Sequence, residues 1–214
     1  MALTSSGALA ELGGRSNHAM SYDAEREVTV LFGGQGYSDL FGSVWTLQFG
    51  VYPDGSWEEM ASTGALPDAR AAHGSAWDDV EQRLFIGGGR AASDAPQDLN
   101  VWHAAAGPAG SWTSLDPTQG PPDGGAAPSW AWDPIAERLL QVGGRVPNDL
   151  LLEPQSVSFI DGLPGDWLGL APSGPVPPPQ TAASLVFDAD GYAIWLIGGT
   201  THHDLIDGMW QLAF

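Results

Sequence analysis

The densest group of potential metal ligands in the sequence consists of His202, His203 and Asp204, with Asp207 close by. Imidazole nitrogens and carboxylate oxygens of one loop can coordinate a divalent metal ion if the turn aims them at a common point. Metal sites usually show further ligands at a fitting spacing, and this sequence has none. We therefore expect a polar loop here, and neither a bound metal nor another cofactor.

Other catalytic chemistry finds little support in the pattern of residues. The chain has no cysteine, which excludes disulfides and thiol nucleophiles. No serine lies in a nucleophile elbow that His103 could serve, and phosphate loops, dinucleotide fingerprints and zinc spacings are missing. The three glycines at 87–89 belong to a repeated pattern of strand and glycine and are not a phosphate loop.

The charge of the chain limits its partners. There are 26 acidic residues against 7 basic ones, which gives a formal net charge of −19. Such a surface repels phosphate backbones, so we expect no nucleic acid partner. No apolar stretch approaches the roughly 18 residues of a membrane span, and the N-terminus lacks the basic region of a signal peptide. We expect neither membrane insertion nor a secretion signal.

A hydrophobic strand that ends in two glycines occurs four times along the chain. The first glycines of these pairs, at positions 33, 87, 143 and 198, are 54, 56 and 55 residues apart. Each strand follows a strand of mostly small residues that ends in an aromatic residue and Asp. Aspartate favours hairpin turns by accepting backbone hydrogen bonds, and the four in question are Asp23, Asp78, Asp133 and Asp188.

Two further strands complete the repeat. A third strand carries an aromatic residue in every copy, and a fourth is marked by Ser or Asp before Trp in three of them, at Trp57, Trp112 and Trp167. Short strands and tight turns repeated at this period predict an all-β repeat protein. The predicted organisation is one domain, 1–214, with repeats at 10–64, 65–119, 120–174 and 175–214 plus 1–9.

The two ends of the chain carry complementary parts of one repeat. Residues 3–9 align with residues 60–66, the segment that follows Trp57, whereas the last copy stops after its third strand at 209–212. We therefore expect the N-terminal strand to pair with the strand at 209–212 as the outer strand of the last repeat. That pairing would close a ring and protect both edges.

The repeats resemble those of the kelch family along essentially the whole chain. The family pattern is Arg-x-x-His, a strand, Gly-Gly, a strand with an aromatic residue, and then Trp. The copy from Arg70 to Trp112 matches it best, and the first copy has Arg15 and His18. The third and fourth copies depart from the pattern, with Gly125 and Pro128, and Gln180 and Ala183, in place of Arg and His.

The resemblance implies a four-bladed β-propeller, with a two-chain ring of eight blades as the alternative. It also implies that the motif Arg and His residues mainly brace neighbouring blades. Kelch-type copper oxidases use a Cys-modified Tyr, and the absence of Cys excludes that chemistry here.

The propeller arrangement sorts loop residues onto two ends. The loops between second and third strands share one end with the connections between blades, and this end collects Arg15, Tyr37, Phe41, Arg70, Arg90, Arg145, His202, His203 and Asp204. Tyr and Arg are frequent interface anchors, so this end is the predicted binding face. The alternative for Phe41 is that it folds back over its blade. At the opposite end, Arg26, Arg83 and Arg138 are predicted to pair with neighbouring carboxylates or with hairpin carbonyls.

Variable loops on a repeat scaffold usually carry its function. We therefore expect a non-catalytic module that binds a protein or peptide on the predicted face, as a monomer, with a dimer as the alternative. Two other functions stay open. An enzyme, isomerase- or lyase-like or metal-dependent, would need converging ionisable groups in the axial channel, and a structural half of a larger propeller would need an extensive interface between copies.

Overall fold

Twenty β-strands make up the regular structure in the part of the chain that the computed structural model describes. The described residues are 4–7, 12–50, 54–92, 98–104, 109–115, 125–146, 149–151, 153–171, 173 and 175–213. The predicted all-β class is confirmed. None of these residues forms a helix long and apolar enough to span a membrane.

Four antiparallel units follow one another along the chain, the first three with four strands and the last with three. Unit I contains β2 (Ala19–Asp23), β3 (Val28–Phe32), β4 (Val44–Phe49) and β5 (Asp54–Gly64). Unit II contains β7 (Gly74–Asp78), β8 (Arg83–Gly87), β10 (Leu99–Ala104) and β11 (Ala109–Leu115). Unit III contains β12 (Ser129–Asp133), β13 (Arg138–Val142), β16 (Gln155–Ile160) and β17 (Leu163–Gly169). Unit IV contains β18 (Ser184–Asp188), β19 (Ala193–Ile197) and β20 (Met209–Ala213).

Five short strands lie outside this scheme: β1 (Thr4–Gly7), β6 (Arg70–Ala71), β9 (Arg90–Ala91), β14 (Arg145–Val146) and β15 (Asp149–Leu150). The largest sheet has nine strands and joins units I and II, because the end of β5 runs parallel to β11. Its two end strands, β2 and β7, also pack against each other, so the sheet is nearly closed and barrel-like. Units III and IV form separate sheets.

The first hairpin of each unit turns as the sequence predicts. In unit I, Asp23 Oδ1 accepts hydrogen bonds from the backbone N–H groups of Glu25 and Arg26. The same two bonds form at the other three aspartates, Asp78, Asp133 and Asp188. The predicted pairing of arginine with neighbouring carboxylates is also confirmed, since these aspartates accept from Arg26, Arg83 and Arg138 in units I, II and III.

Glycine pairs with positive φ recur at a constant period of 55 residues. Gly33 and Gly34 have φ angles of +67° and +101°, which L side chains rarely adopt. In unit II the equivalent pair is Gly88 and Gly89, with φ of +62° and +86°, and not the pair at 87–88. Gly87 ends β8 and lies so close to Trp130 that a Cβ would clash with its ring. The uneven spacing predicted from the sequence is therefore wrong.

The predicted closure of the ring by the N-terminal strand is also wrong. Strand β1 pairs in parallel with β5, with Gly7 opposite Trp57, and not with β20. The end of β5 pairs with β11 in the same way, with Gly64 opposite Trp112. The alignment of 3–9 with 60–66 has the right phase, but strand β1 pairs with the outer strand of the next unit, β5. Leu3, Ala8 and Leu9 lie outside the described residues.

The hydrophobic core lies between consecutive units. Apolar side chains of units I and II form one buried cluster, those of II and III a second, and those of III and IV a third. The innermost strands β2, β7, β12 and β18 together line one cavity of about 750 Å³. Backbone bonds link the loops beside it, because the N–H of Ala72 donates to Asn17, that of Ala127 to Ala72, and that of Ala182 to Ala127.

Candidate binding face

Short hairpins between the second and third strands of the units project at one end of the molecule. Their bases pair at Gln35 with Leu40 in unit I, Arg145 with Leu150 in unit III, and Thr200 with Leu205 in unit IV. Each base is also paired with the segment that enters its unit: Ser16 with Gln35, Ala71 with Arg90, Ala126 with Arg145, and Thr181 with Thr200. We call the end that carries these hairpins the hairpin face.

Hairpins of neighbouring units contact each other through side chains. The guanidinium of Arg90 in unit II donates a hydrogen bond to Gln35 Oε1 in unit I. His202 Nε2 in unit IV lies 3.3 Å from Asp149 Oδ1 in unit III. A backbone hydrogen bond from Leu150, together with His202, holds the pKa of the Asp149 carboxyl below its usual value. The hairpin face is therefore continuous between units I and II and between units III and IV.

Six of the nine residues predicted for the binding face are exposed. They are Tyr37, Arg90, Arg145, His202, His203 and Asp204. Tyr37 is fully exposed, so its ring has no cover from the described residues. Leu205 is not among the predicted residues, yet it is 88% exposed at the base of the unit IV hairpin. Its repeat equivalent Leu150 is 5% exposed, and because both residues are leucine, the residue type gives no signal that distinguishes them.

Arg15 and Phe41 form a stacked pair at the base of the face. The Arg15 guanidinium carbon lies 3.9 Å from the centre of the Phe41 ring. Its nitrogens donate to the backbone oxygens of Gly33, at 3.0 Å, and of Leu12. Burial lowers the pKa of Arg15, and the nearby charge of Glu59 opposes that shift. Phe41 is half-buried and has folded back, as the alternative for this residue predicted.

Arg70 belongs to the junction between units and not to the exposed face. It is 1% exposed, and its two terminal nitrogens each lie 2.6 Å from one carboxylate oxygen of Asp98. It also donates to the backbone oxygens of Gly88 and Asp68. Burial raises the pKa of the Asp98 carboxyl, but the hydrogen bonds and charge of Arg70 outweigh burial and hold that pKa below its usual value. Arg70 is therefore too buried to contact a binding partner and does not belong to the predicted binding face.

Replacing Arg70 with methionine should destabilise the fold. The change leaves the carboxylate of Asp98 partly buried without its bidentate partner, and we expect a loss of about 2–3 kcal/mol in the free energy of unfolding. Urea unfolding measures this loss. Arg145→Met is the matched control, because Arg145 is exposed, and it should stay within about 0.5 kcal/mol of wild type. Equal stability of Arg70→Met and wild type would contradict the bracing role.

The cavity between the innermost strands is mainly apolar. Its lining includes Tyr22, Trp77, Trp130, Trp132 and Phe187, and its ionisable groups among the described residues are Tyr22 and Asp79. Residues that could hold a metal do not cluster there either, since no three His, Asp or Glu side chains of the described part of the chain are placed to bind one ion.

No known family model matches the chain, and no curated protein matches it.

The most strongly shifted histidine lies at a junction between units. Burial, then the charges of Arg70 and His18, lower the pKa of His73 to about 3, against a smaller opposing effect of Asp98. Its ring packs edge-on against Phe32 at 5.3 Å, and neither ring nitrogen has a hydrogen-bond partner among the described residues. The environment of His73 is that of a packed core group.

Proposed function

We propose that this chain forms four kelch-like propeller units and binds a protein or peptide on their hairpin face without catalysing a reaction. The propeller arrangement is supported by the 55-residue period and by the stacking of consecutive units face to face. It is also supported by a cavity that the first strands of all four units line together.

The observation that carries the binding proposal is the set of exposed side chains on hairpins that contact one another. Tyr37 offers a fully exposed ring, and aromatic rings anchor interfaces at a low cost in side-chain entropy. Arg90 and Arg145 add exposed guanidinium groups on the same face, and guanidinium binds carboxylates with two parallel hydrogen bonds. The partner we propose is a peptide segment with an apolar recess for Tyr37 and carboxylates for the two arginines.

A peptide-display selection against the purified chain tests this function. We expect enriched peptides that carry acidic residues and bind wild type in solution. The double variant Tyr37→Ala, Arg145→Ala should lose about tenfold or more in affinity for them, because both anchors are removed. Isothermal titration calorimetry or fluorescence anisotropy of a labelled peptide measures the loss.

The control for this selection is a variant at the opposite end. Val80 and Ile135 lie in first-hairpin turns and are 75% and 60% exposed, so Val80→Ala, Ile135→Ala changes exposed surface away from the hairpin face. We expect its peptide affinity to match wild type. Peptides that bind the Tyr37 and Arg145 variant as tightly as wild type would contradict the proposal, and so would a selection without enrichment.

A further inference from the structure

One side of unit IV exposes positions that are buried in every other unit. We call the side of a unit that faces the next unit its trailing side. Met209 is 62% exposed, whereas its repeat equivalents Val44 and Leu99 are 1% and 0% exposed. Ile197 is 45% exposed, whereas its equivalent Phe32 is fully buried against unit II. The trailing side of unit IV therefore carries apolar residues at the positions that form junctions in other units, but these residues are exposed.

The opposite side of unit I shows the matching exposure. Met20 and Tyr22 are 49% and 56% exposed on β2. Their equivalents in unit III, Trp130 and Trp132, are 5% and 7% exposed, because they pack against unit II. The leading side of unit I, which corresponds to the side that receives a preceding unit, is thus uncovered at Met20 and Tyr22. Leu31 and Trp45 on the same side are already buried in a cluster with Leu12.

In the described part of the chain, backbone groups at the same two sides lack the bonds that the other junctions make. Between units I and II, Gly34 N–H donates to the Arg70 carbonyl at 2.8 Å, and Ala72 N–H donates to the Asn17 carbonyl at 2.9 Å. Between units III and IV, Gly144 N–H donates to Gln180 and Ala182 N–H donates to Ala127. A junction is therefore defined by one bond in each direction.

The repeat assigns the corresponding groups at the open sides. On unit IV they are the N–H of Gly199 and the carbonyl of Ala182, and on unit I they are the carbonyl of Arg15 and the N–H of Asn17. Within the described ranges, none of these four groups forms a backbone hydrogen bond. Each open side thus presents one donor and one acceptor, and these match the acceptor and the donor of the other side.

We propose that the trailing side of unit IV docks on the leading side of unit I in a second copy of this chain, and that the reverse contact closes a two-chain ring. The contact would continue the junction that the chain already builds three times. Within one chain the two sides line the same cavity, yet none of the four groups has a backbone partner among the described residues. A second copy carries both complementary sides, and a head-to-tail contact that closes gives a dimer instead of a filament.

Charge gives this association a particular salt dependence. Each copy carries a net charge of −19, so the two copies repel each other. The docking side itself presents the uncharged residues Val186, Ile197 and Met209. Salt screens the repulsion and leaves apolar burial intact, so we expect the dimer to become tighter as ionic strength rises.

Cysteine cross-linking tests the arrangement directly, because the natural chain has no cysteine. Met20 and Ser184 are exposed and correspond to Trp130 and Gly74, which meet at the junction of units II and III. We expect a disulfide-linked dimer when Met20→Cys and Ser184→Cys proteins are mixed and oxidised, and none from either protein alone. A monomer bridged internally in the double variant, a dimer from one single variant, or no cross-link in the mixture would each overturn the proposal.

Analytical ultracentrifugation gives an independent measurement. Wild type should sediment at twice the mass of one chain, and Ile197→Glu should weaken association by about tenfold or more, because it buries a charge in the contact. Ile135→Glu, at an exposed turn of unit III, should leave the dimer unchanged. A wild-type monomer at every protein and salt concentration would contradict the proposal, as would equal effects of the two variants.

Discussion

Replacing Trp112 with alanine is expected to lower the free energy of unfolding by about 3–5 kcal/mol. Trp112 is 2% exposed in the cluster between units I and II, and its ring meets Phe32 edge-on at 5.0 Å. Its strand is also paired on both sides, with β10 and with the end of β5. The surrounding sheets cannot collapse onto the space that the indole leaves, so the cavity adds to the lost burial.

Chemical denaturation monitored by circular dichroism measures this effect independently of the removed fluorophore. Tyr37→Ala is the control, since that aromatic ring is fully exposed and its removal should change stability by less than about 0.5 kcal/mol. A loss of less than about 1 kcal/mol for Trp112→Ala would mean that units I and II do not share a core at this position.

Acidification should destabilise the fold through His73 by an amount on the order of 4 kcal/mol between pH 6.5 and pH 3. The folded pKa of about 3 lies below the ordinary value of 6.5. As the pH falls through 6.5, the unfolded chain binds a proton at His73 and the folded chain does not. Stability is therefore fully present above about pH 6.5 and is lost progressively toward pH 3.

Unfolding free energies measured across this pH range for wild type and His73→Leu test the assignment. The variant cannot titrate at this position, so its profile should be flatter by the contribution of His73. His203→Leu is the matched control for the loss of an imidazole, because His203 is exposed, and its free energy of unfolding at pH 7 should stay within about 0.5 kcal/mol of wild type. Parallel profiles of His73→Leu and wild type would contradict a buried neutral histidine.

Local features were predictable from the sequence because they depend on neighbouring residues. Asp23 and its equivalents accept bonds from residues two and three positions further on, so the turn chemistry is visible in the sequence itself. The three glycines at 87–89 allow two frames for the pair, and the sequence does not distinguish them. Contact of Gly87 with Trp130, a residue of another unit, decides between the two frames.

Long-range partners were not predictable in the same way. The phase of residues 3–9 was correct, but the choice between β20 and β5 as the partner of β1 depends on how the outer strands cross between units. Arg70 and Arg90 are the same residue type on the same predicted face. Asp98, 28 residues after Arg70, buries one of them in a salt bridge and leaves the other exposed.

The exposure of the trailing side of unit IV was not predictable from the sequence for a related reason. Ile197 and Met209 are apolar strand residues, as are their buried equivalents Phe32 and Val44, so their pattern in the sequence is that of core residues. Exposure depends on whether another sheet follows in space. Hydrophobic patterning reports that a side is built to be covered, and it does not report which chain covers it.

Hydrogen exchange of the loop amides that link the units tests the central claim most directly. If four units stack in order around one axis, the amides of Ala72, Ala127 and Ala182 lie in bonds between units and should exchange only through large-scale unfolding, at rates close to those of core strands. Exchange of these three amides at the rate of an unstructured loop, in a chain whose core strands stay protected, would show that the units are not joined around that axis.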